Sequence, residues 1–113
     1  MPQKFQKYYT RIIGIFFVLV AITLITDFAN FGYRLETWHK IFHVLLGSFV
    51  LYYGWDNKKF WKPFALANGA FFTLVALFGL AFPNFYGLDA FNRLDTILHG
   101  IVGVSGLVVG FFD

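Results

Sequence analysis

The chain contains no cysteine, which excludes disulfides, thiolate metal sites and thiol chemistry. Charge is also scarce. Only 13% of the 113 residues are Asp, Glu, Lys or Arg, against a usual share of about 25%. A water-soluble domain of this size has more surface than core and needs charge to cover it. No phosphate loop, nucleophile elbow or paired-carboxylate motif is present, so no residue is nominated as catalytic. Ser48 and Ser105 lie near glycines with nothing to mark them as nucleophiles, and both are read as packing.

What is abundant is apolar. Hydrophobic residues make up 58%, including seventeen Phe. That many cannot be buried in a small aqueous globule, whereas lipid accepts an apolar outer face. Four runs lack charge: 12–26, 41–55, 63–88 and 96–112. A helix needs about 20 residues to cross the hydrocarbon core. The first two runs are shorter, but Arg11 and Lys40 can snorkel, and Tyr8, Tyr9, Phe28 and Trp38 suit the interface. A thin bilayer or an untilted bundle accommodates the remainder. The expectation is one all-α domain of four transmembrane helices, over about 9–30, 37–55, 61–82 and 92–112. Lys4, Lys7 and Arg11 resemble the basic start of a signal peptide. The apolar stretch after them is long and no small-x-small site follows, so the helix is expected to be retained.

Turn chemistry marks Asn30–Tyr33 and Pro83–Gly87; Glu36 and Thr37 open the second helix, and Asn92 caps the fourth. Short connections imply antiparallel neighbours, hence an up-down-up-down bundle. Lys4, Lys7, Arg11, Lys58, Lys59 and Lys62 fall on one side. Arg34, Lys40 and Arg93 fall on the other, among Asp27, Glu36, Asp89 and Asp95. The positive-inside rule then places both termini and the 56–62 loop in the cytoplasm, with the protein in the cell's inner membrane. The pI near 9.3 invites a nucleic-acid reading. The basic residues sit at helix ends instead, where they act as topology signals, so the lipid bilayer is the expected partner. Tyr52, Tyr53, Trp55 and Trp61 form a cytoplasmic aromatic belt, with Trp38 and Tyr86 outside. Lys58, Lys59 and Lys62 are placed to meet anionic lipid heads.

Shifting the chain by 56 residues aligns the second helix with the fourth. Ile41 falls on Ile97, His43 on His99, Gly47 on Gly103, Leu51 on Leu107 and Gly54 on Gly110. The first and third helices match only in hydropathy. The pattern implies a duplicated helical hairpin, its halves related by an axis along the membrane normal. His43, Gly47, Val50 and Gly54 share one helix face, and His99, Gly103, Gly106 and Gly110 repeat it. Glycine lets neighbouring helices approach. These faces are expected to point inward, with His39, His43, Asp95 and His99 forming a polar cluster near the outer leaflet.

Four readings of the cluster follow. The plainest is structural, with histidines hydrogen-bonded to one another, to Asp95 or to carbonyls, fixing helix register. A second is a metal site: His39 and His43 stand at i, i+4, and His99 with Asp95 would complete three nitrogens and one oxygen, acceptable to zinc, copper or iron. A third is a b-type haem held by His43 and His99, which would imply electron transfer. A fourth is a proton or ion path, opposed by the Gly and Val that continue the stripe. Asn68 and Thr73, with Thr23 and Thr26, are expected to form interhelical hydrogen bonds.

The doubled pattern resembles a group of small bacterial four-helix membrane proteins catalogued only as a domain of unknown function. The resemblance rests on Leu94-Asp95-Thr96-Ile97-Leu98-His99 followed by Gly103, and on the partial copy around His43 and Gly47. It implies the four-helix fold and brings no substrate, cofactor or catalytic residue. His39 stands where the second half has Asp95, so the halves differ there. The functional expectation is a non-enzymatic membrane protein acting through self-association or a larger membrane complex. The alternative is a metal- or haem-binding redox protein using His43 and His99.

Overall fold

Long apolar stretches rich in Leu, Phe and Ala, with prolines kept to their margins, fold here as four helices. The computed structural model describes residues 4–31, 35–85 and 91–113. In chain order the helices are α1 (Lys4–Phe31), α2 (Leu35–Gly54), α3 (Lys58–Ala81) and α4 (Arg93–Phe112), with no strand among the described residues. Asn side chains open two of them. Asn57 Oδ1 accepts from the Lys59 amide at 3.1 Å and Asn92 Oδ1 from the Asp95 amide at 2.7 Å. Each satisfies a donor that the first turn leaves without an intrahelical partner. The turn positions Gly32, Tyr33, Tyr86 and Gly87 and the charges Arg34 and Asp89 lie outside the described residues.

α1 starts at Lys4, well before the expected boundary near residue 9. The reason lies in its first turns, where Gln6 and Thr10 are buried and bonded. Gln6 Nε2 donates to the Val109 carbonyl at 3.1 Å, and its backbone amide donates to Asp113 Oδ2 at 2.8 Å. Polar residues that a hydropathy reading assigns to a flank are part of the packed helix.

Three segments are long and apolar enough to cross a membrane: Lys4–Thr26, Lys58–Ala81 and Arg93–Phe112. α2 has 20 residues, but Glu36, His39 and Lys40 occupy its opening turns. The burial pattern inverts that of a soluble protein. Ile25, Leu80 and Leu74 are 71%, 70% and 66% exposed, whereas Gln6, Thr10, Asn68 and Thr96 are buried. Such a surface suits hydrocarbon, and such an interior supplies hydrogen bonds that lipid does not.

α1 and α2 pack antiparallel: Gly54 faces Thr10, and Gly47 faces Gly14 and Phe17. α3 and α4 do the same, with Gly110 against Leu66, Gly69 against Gly106, and Gly79 against Thr96. A Cβ on Gly69 would lie 2.6 Å from the Leu107 nitrogen, and one on Gly47 would lie 2.8 Å from the Gly14 oxygen. Backbone touches backbone at both crossings, so only glycine fits. His43, Gly47, Val50 and Gly54 are all buried, as are His99, Gly103, Gly106 and Gly110.

Gly14 and Gly69 occupy matching places in their helix pairs, and aligning them sets α1 on α3 with an offset of 55 rather than 56. Lys4, Phe5 and Lys7 then fall on Lys59, Phe60 and Lys62. Phe16, Phe17, Leu19, Val20 and Ala21 fall on Phe71, Phe72, Leu74, Val75 and Ala76. Identities between α1 and α3 thus occur at an offset of 55, one residue from the offset that aligns α2 with α4.

The polar contacts also differ from expectation in part. Asn68 Nδ2 donates across helices to the Tyr9 hydroxyl at 2.9 Å, which donates to the Val102 carbonyl at 2.8 Å. Thr23 and Thr26 instead donate to carbonyls of their own helix, at Val20 and Ile22. Both are exposed, Thr23 in the lining of the cavity described below, and back-bonding satisfies each hydroxyl within its own helix.

Gly69→Ala is expected to destabilise the protein by about 1–3 kcal/mol through overpacking against backbone. Gly100→Ala meets only the Ala76 Cβ, at an ordinary 3.7 Å, and is expected to be neutral or mildly stabilising. Unfolding of both variants in mixed micelles checks the contrast.

Candidate metal centre

His39 and His43 stand one helical turn apart on α2, so their rings project from one face. Their Nε2 atoms lie 2.8 Å apart. His99 projects from α4 and brings its ring centroid to 5.8 Å from that of His39 and 6.2 Å from that of His43. One ring nitrogen from each of the three lies within 4.8 Å of the others. His43 and His99 are buried, and His39 is half-buried.

Aromatic rings hold this group from below. The Phe17 ring packs on His43 at 4.6 Å and on Phe72 at 5.5 Å. Phe72 stacks on His43 at 5.8 Å and on His99 at 5.2 Å. Phe17 and Phe72 are 2% exposed, and they are the pair that the 55-residue offset aligns. Phe17 and Phe72 together pack against both buried histidines. Rings wedged in this way have few rotamers, so the imidazoles are pre-positioned.

A cavity of about 310 Å³ lies against the three histidines, with Phe17 and Phe72 also in its lining. Lys40, Asn92 and Asp95 line its polar end, near the starts of α2 and α4. Phe16, Val20 and Leu98 form its apolar wall. Asp95, expected among the ligands, lines this cavity, while the compact ligand group is the three histidines. Lys40 and Asn92 were not expected at the site. Asn92 is legible only as a cap, and Lys40 only as an interfacial charge.

The spacing suits a small ion. Zinc–nitrogen distances of about 2.0–2.1 Å with tetrahedral angles put ligand atoms about 3.4 Å apart. The observed separations, from 2.8 Å up to no more than 4.8 Å, bracket that value. A haem between His43 and His99 does not fit this arrangement, because Phe72 packs against both rings and Phe17 covers His43. Displacing those rings would dismantle the centre of the core. A path through the protein is likewise blocked below the histidines by Phe17, Phe72, Val50 and the tight glycine crossings.

The His39–His43 contact does not by itself account for the cluster. The Nδ1 atom of His43 is buried with no hydrogen-bonding partner. An ion held at the Nε2 side would leave that atom unpaired as well, so it does not separate a structural network from a metal site.

No protein-family model matches the chain, and no curated protein or solved structure matches it either.

Phe72→Ala is expected to cost about 1–3 kcal/mol of stability, because it removes the ring that joins Phe17, His43 and His99. Phe71→Ala, on an exposed ring, is expected to cost far less, since lipid refills the space. Paired unfolding curves in the same micelles test the difference.

Proposed function

We propose that this is a small metal-binding protein of the cell's inner membrane, crossing it four times with both termini in the cytoplasm. One observation carries the metal reading: three histidine nitrogens, from two helices in different halves of the chain, converge within 4.8 Å inside a shell of buried aromatic rings. Three neutral imidazoles without thiolate or thioether favour zinc or divalent copper. Ionisable side chains at membrane depth are costly, and a bound cation offsets that cost by engaging every lone pair at once.

The chain on this reading is a duplicated helical hairpin with approximate twofold symmetry. Support comes from the paired identities at offsets of 55 and 56, and from reciprocal bonds at the end carrying the termini. Gln6 of α1 donates to the Val109 carbonyl and, at 3.5 Å, to that of Gly110 on α4. Trp61 of α3, its counterpart, donates to the Gly54 carbonyl of α2 at 2.6 Å. Each half closes the last turn of the other half's second helix. Kinship with the small four-helix bacterial family belongs to the same reading. α2 is the fourth span, its polar opening turns lying at the outer interface where Trp38 is exposed. At the opposite end, Arg11 sits over Trp55 at 4.4 Å and Lys7 over Trp61 at 5.9 Å. Cation and ring together form a cytoplasmic anchor.

A second reading, action through self-association, draws on an open apolar groove along α4 lined by Ile97, Gly100, Ile101, Val104 and Val108. Crosslinking in lipid that yields only monomer removes it.

The metal reading predicts one equivalent of zinc or copper per chain after gentle purification and metal titration. Affinity is expected to fall at least about tenfold in His43→Ala and again in His99→Ala, as for loss of a direct ligand. Elemental analysis that finds no metal in a folded wild-type protein, before and after titration, contradicts it.

A further inference from the structure

We propose that the cavity beside the histidines is a lateral binding site, which admits the ring of a lipid-soluble quinone from the bilayer between α1 and α4. This goes beyond the metal reading and does not need an ion to be present. α1 and α4 are tied near the end carrying the termini, where Gln6 reaches the Val109 carbonyl and the Tyr9 hydroxyl donates to the Val102 carbonyl at 2.8 Å. Further along, Phe16, Val20 and Thr23 of α1 line the same cavity of about 310 Å³ as Asn92 and Leu98 of α4, so the two helices part there. Phe16 is 47% exposed and Leu98 37%. The rim of the cleft thus lies on the outer surface of two segments long and apolar enough to cross a membrane, and a ligand dissolved in hydrocarbon can enter sideways.

In the other half of the chain the matching position is closed. At the offsets of 55 and 56, Phe16 falls on Phe71 and Leu98 on Phe42. Phe42 and Phe71 meet across α2 and α3, with ring centroids 6.1 Å apart. Thr23 likewise falls on the larger Phe78. Leucine in place of phenylalanine removes the ring that would meet Phe16, so one side of the bundle is sealed and the other is open. Packed interiors leave few voids larger than a water molecule. An opening of this size, where the corresponding place is filled, calls for an occupant.

Wall chemistry chooses the class. Phe16, Phe17 and Phe72 bring three aromatic rings to the lining beside the imidazoles, and such faces favour stacking on a flat ring. At the polar end, Asn92 engages its Oδ1 with the Asp95 amide at 2.7 Å. What it offers a ligand is therefore the Nδ2 donor, which suits a carbonyl oxygen. Lys40 and Asp95, the two charged residues of the lining, are opposite in sign, so the cavity offers no net attraction to an ionic head. Its size lies at the lower limit of ligand pockets, about 300–1,000 Å³. It takes one ring or two fused rings and leaves a long apolar tail in the lipid. A quinone combines the flat ring, the neutral carbonyls and the tail.

The test uses the full chain in lipid nanodiscs, treated with a chelator so that metal plays no part, and a photoreactive azidoquinone with a decyl tail. The expected result is saturable labelling at one per chain, mapped to α1 and α4 and displaced by decylubiquinone. Leu98→Phe, which copies Phe42, is expected to weaken labelling at least tenfold. Val20→Phe narrows the same cleft and serves if Leu98→Phe does not fold. Ile101→Phe, a similar enlargement at a 61% exposed residue of α4 outside the cavity lining, is expected to leave labelling unchanged. Labelling that never saturates, or that the two cleft variants leave intact, reports partition into the bilayer and overturns the proposal. Displacement by oleic acid as readily as by decylubiquinone assigns the cleft to an acyl chain and overturns it too. Metal uptake is measured separately on untreated protein, so either reading can fail without the other.

Discussion

Helices surrounded by hydrocarbon gain little by hiding apolar side chains from one another, because lipid is as apolar as leucine. Their association has to come from close packing and from polar groups that lipid cannot satisfy. Glycine supplies the first here. At Gly47 against Gly14, and at Gly69 against Gly103 and Leu107, a single added methyl group would collide with backbone. These crossings set how near α1 comes to α2 and α3 to α4. The hydrogen bonds and ring contacts described above operate at the separation they allow.

Polar side chains then join the two halves. The Asn68–Tyr9–Val102 chain of hydrogen bonds, the Gln6 contacts and the Trp61 bond all reach carbonyls on α2 or α4 from α1 or α3. Interhelical bonds of this kind contribute about 0.6–2 kcal/mol each, so several are needed to hold a bundle of this size. Burying Gln6 and Thr10 while exposing Ile25 and Leu80 is therefore the expected arrangement for a protein whose solvent is apolar.

The histidine cluster sits at the far end from the Gln6 and Trp61 bonds, where the halves meet again. Phe17 packs on His43, and Phe72 packs on both His43 and His99. The polar part does not repeat, since His39 in one half corresponds to Asp95 in the other. Had the match been complete, the site would hold four histidines or two acid–histidine pairs. The single difference yields three nitrogens on one side of a cavity and a carboxylate on its wall.

Much of this architecture could be read directly from residue order. Uncharged runs and the distribution of Lys and Arg implied helices for an apolar medium, and regular spacing put His43 with Gly47 and His99 with Gly103, because helical periodicity is a local property. Asn92 as a cap was legible for the same reason. The start of α1 was not. Gln6 looks like part of a polar flank until α4 arrives to accept its bonds, and that partner lies about a hundred positions along the chain. The identities between α1 and α3 were present in the residues but stood out only when Gly14 and Gly69 were seen making the same kind of contact. The supporting rings, the cavity and the presence of both Lys40 and Asp95 in its lining depended on the tertiary structure alone. A phenylalanine's neighbours across a bundle are set by helix rotation and crossing distance, and those are decided by glycine contacts between segments far apart in sequence.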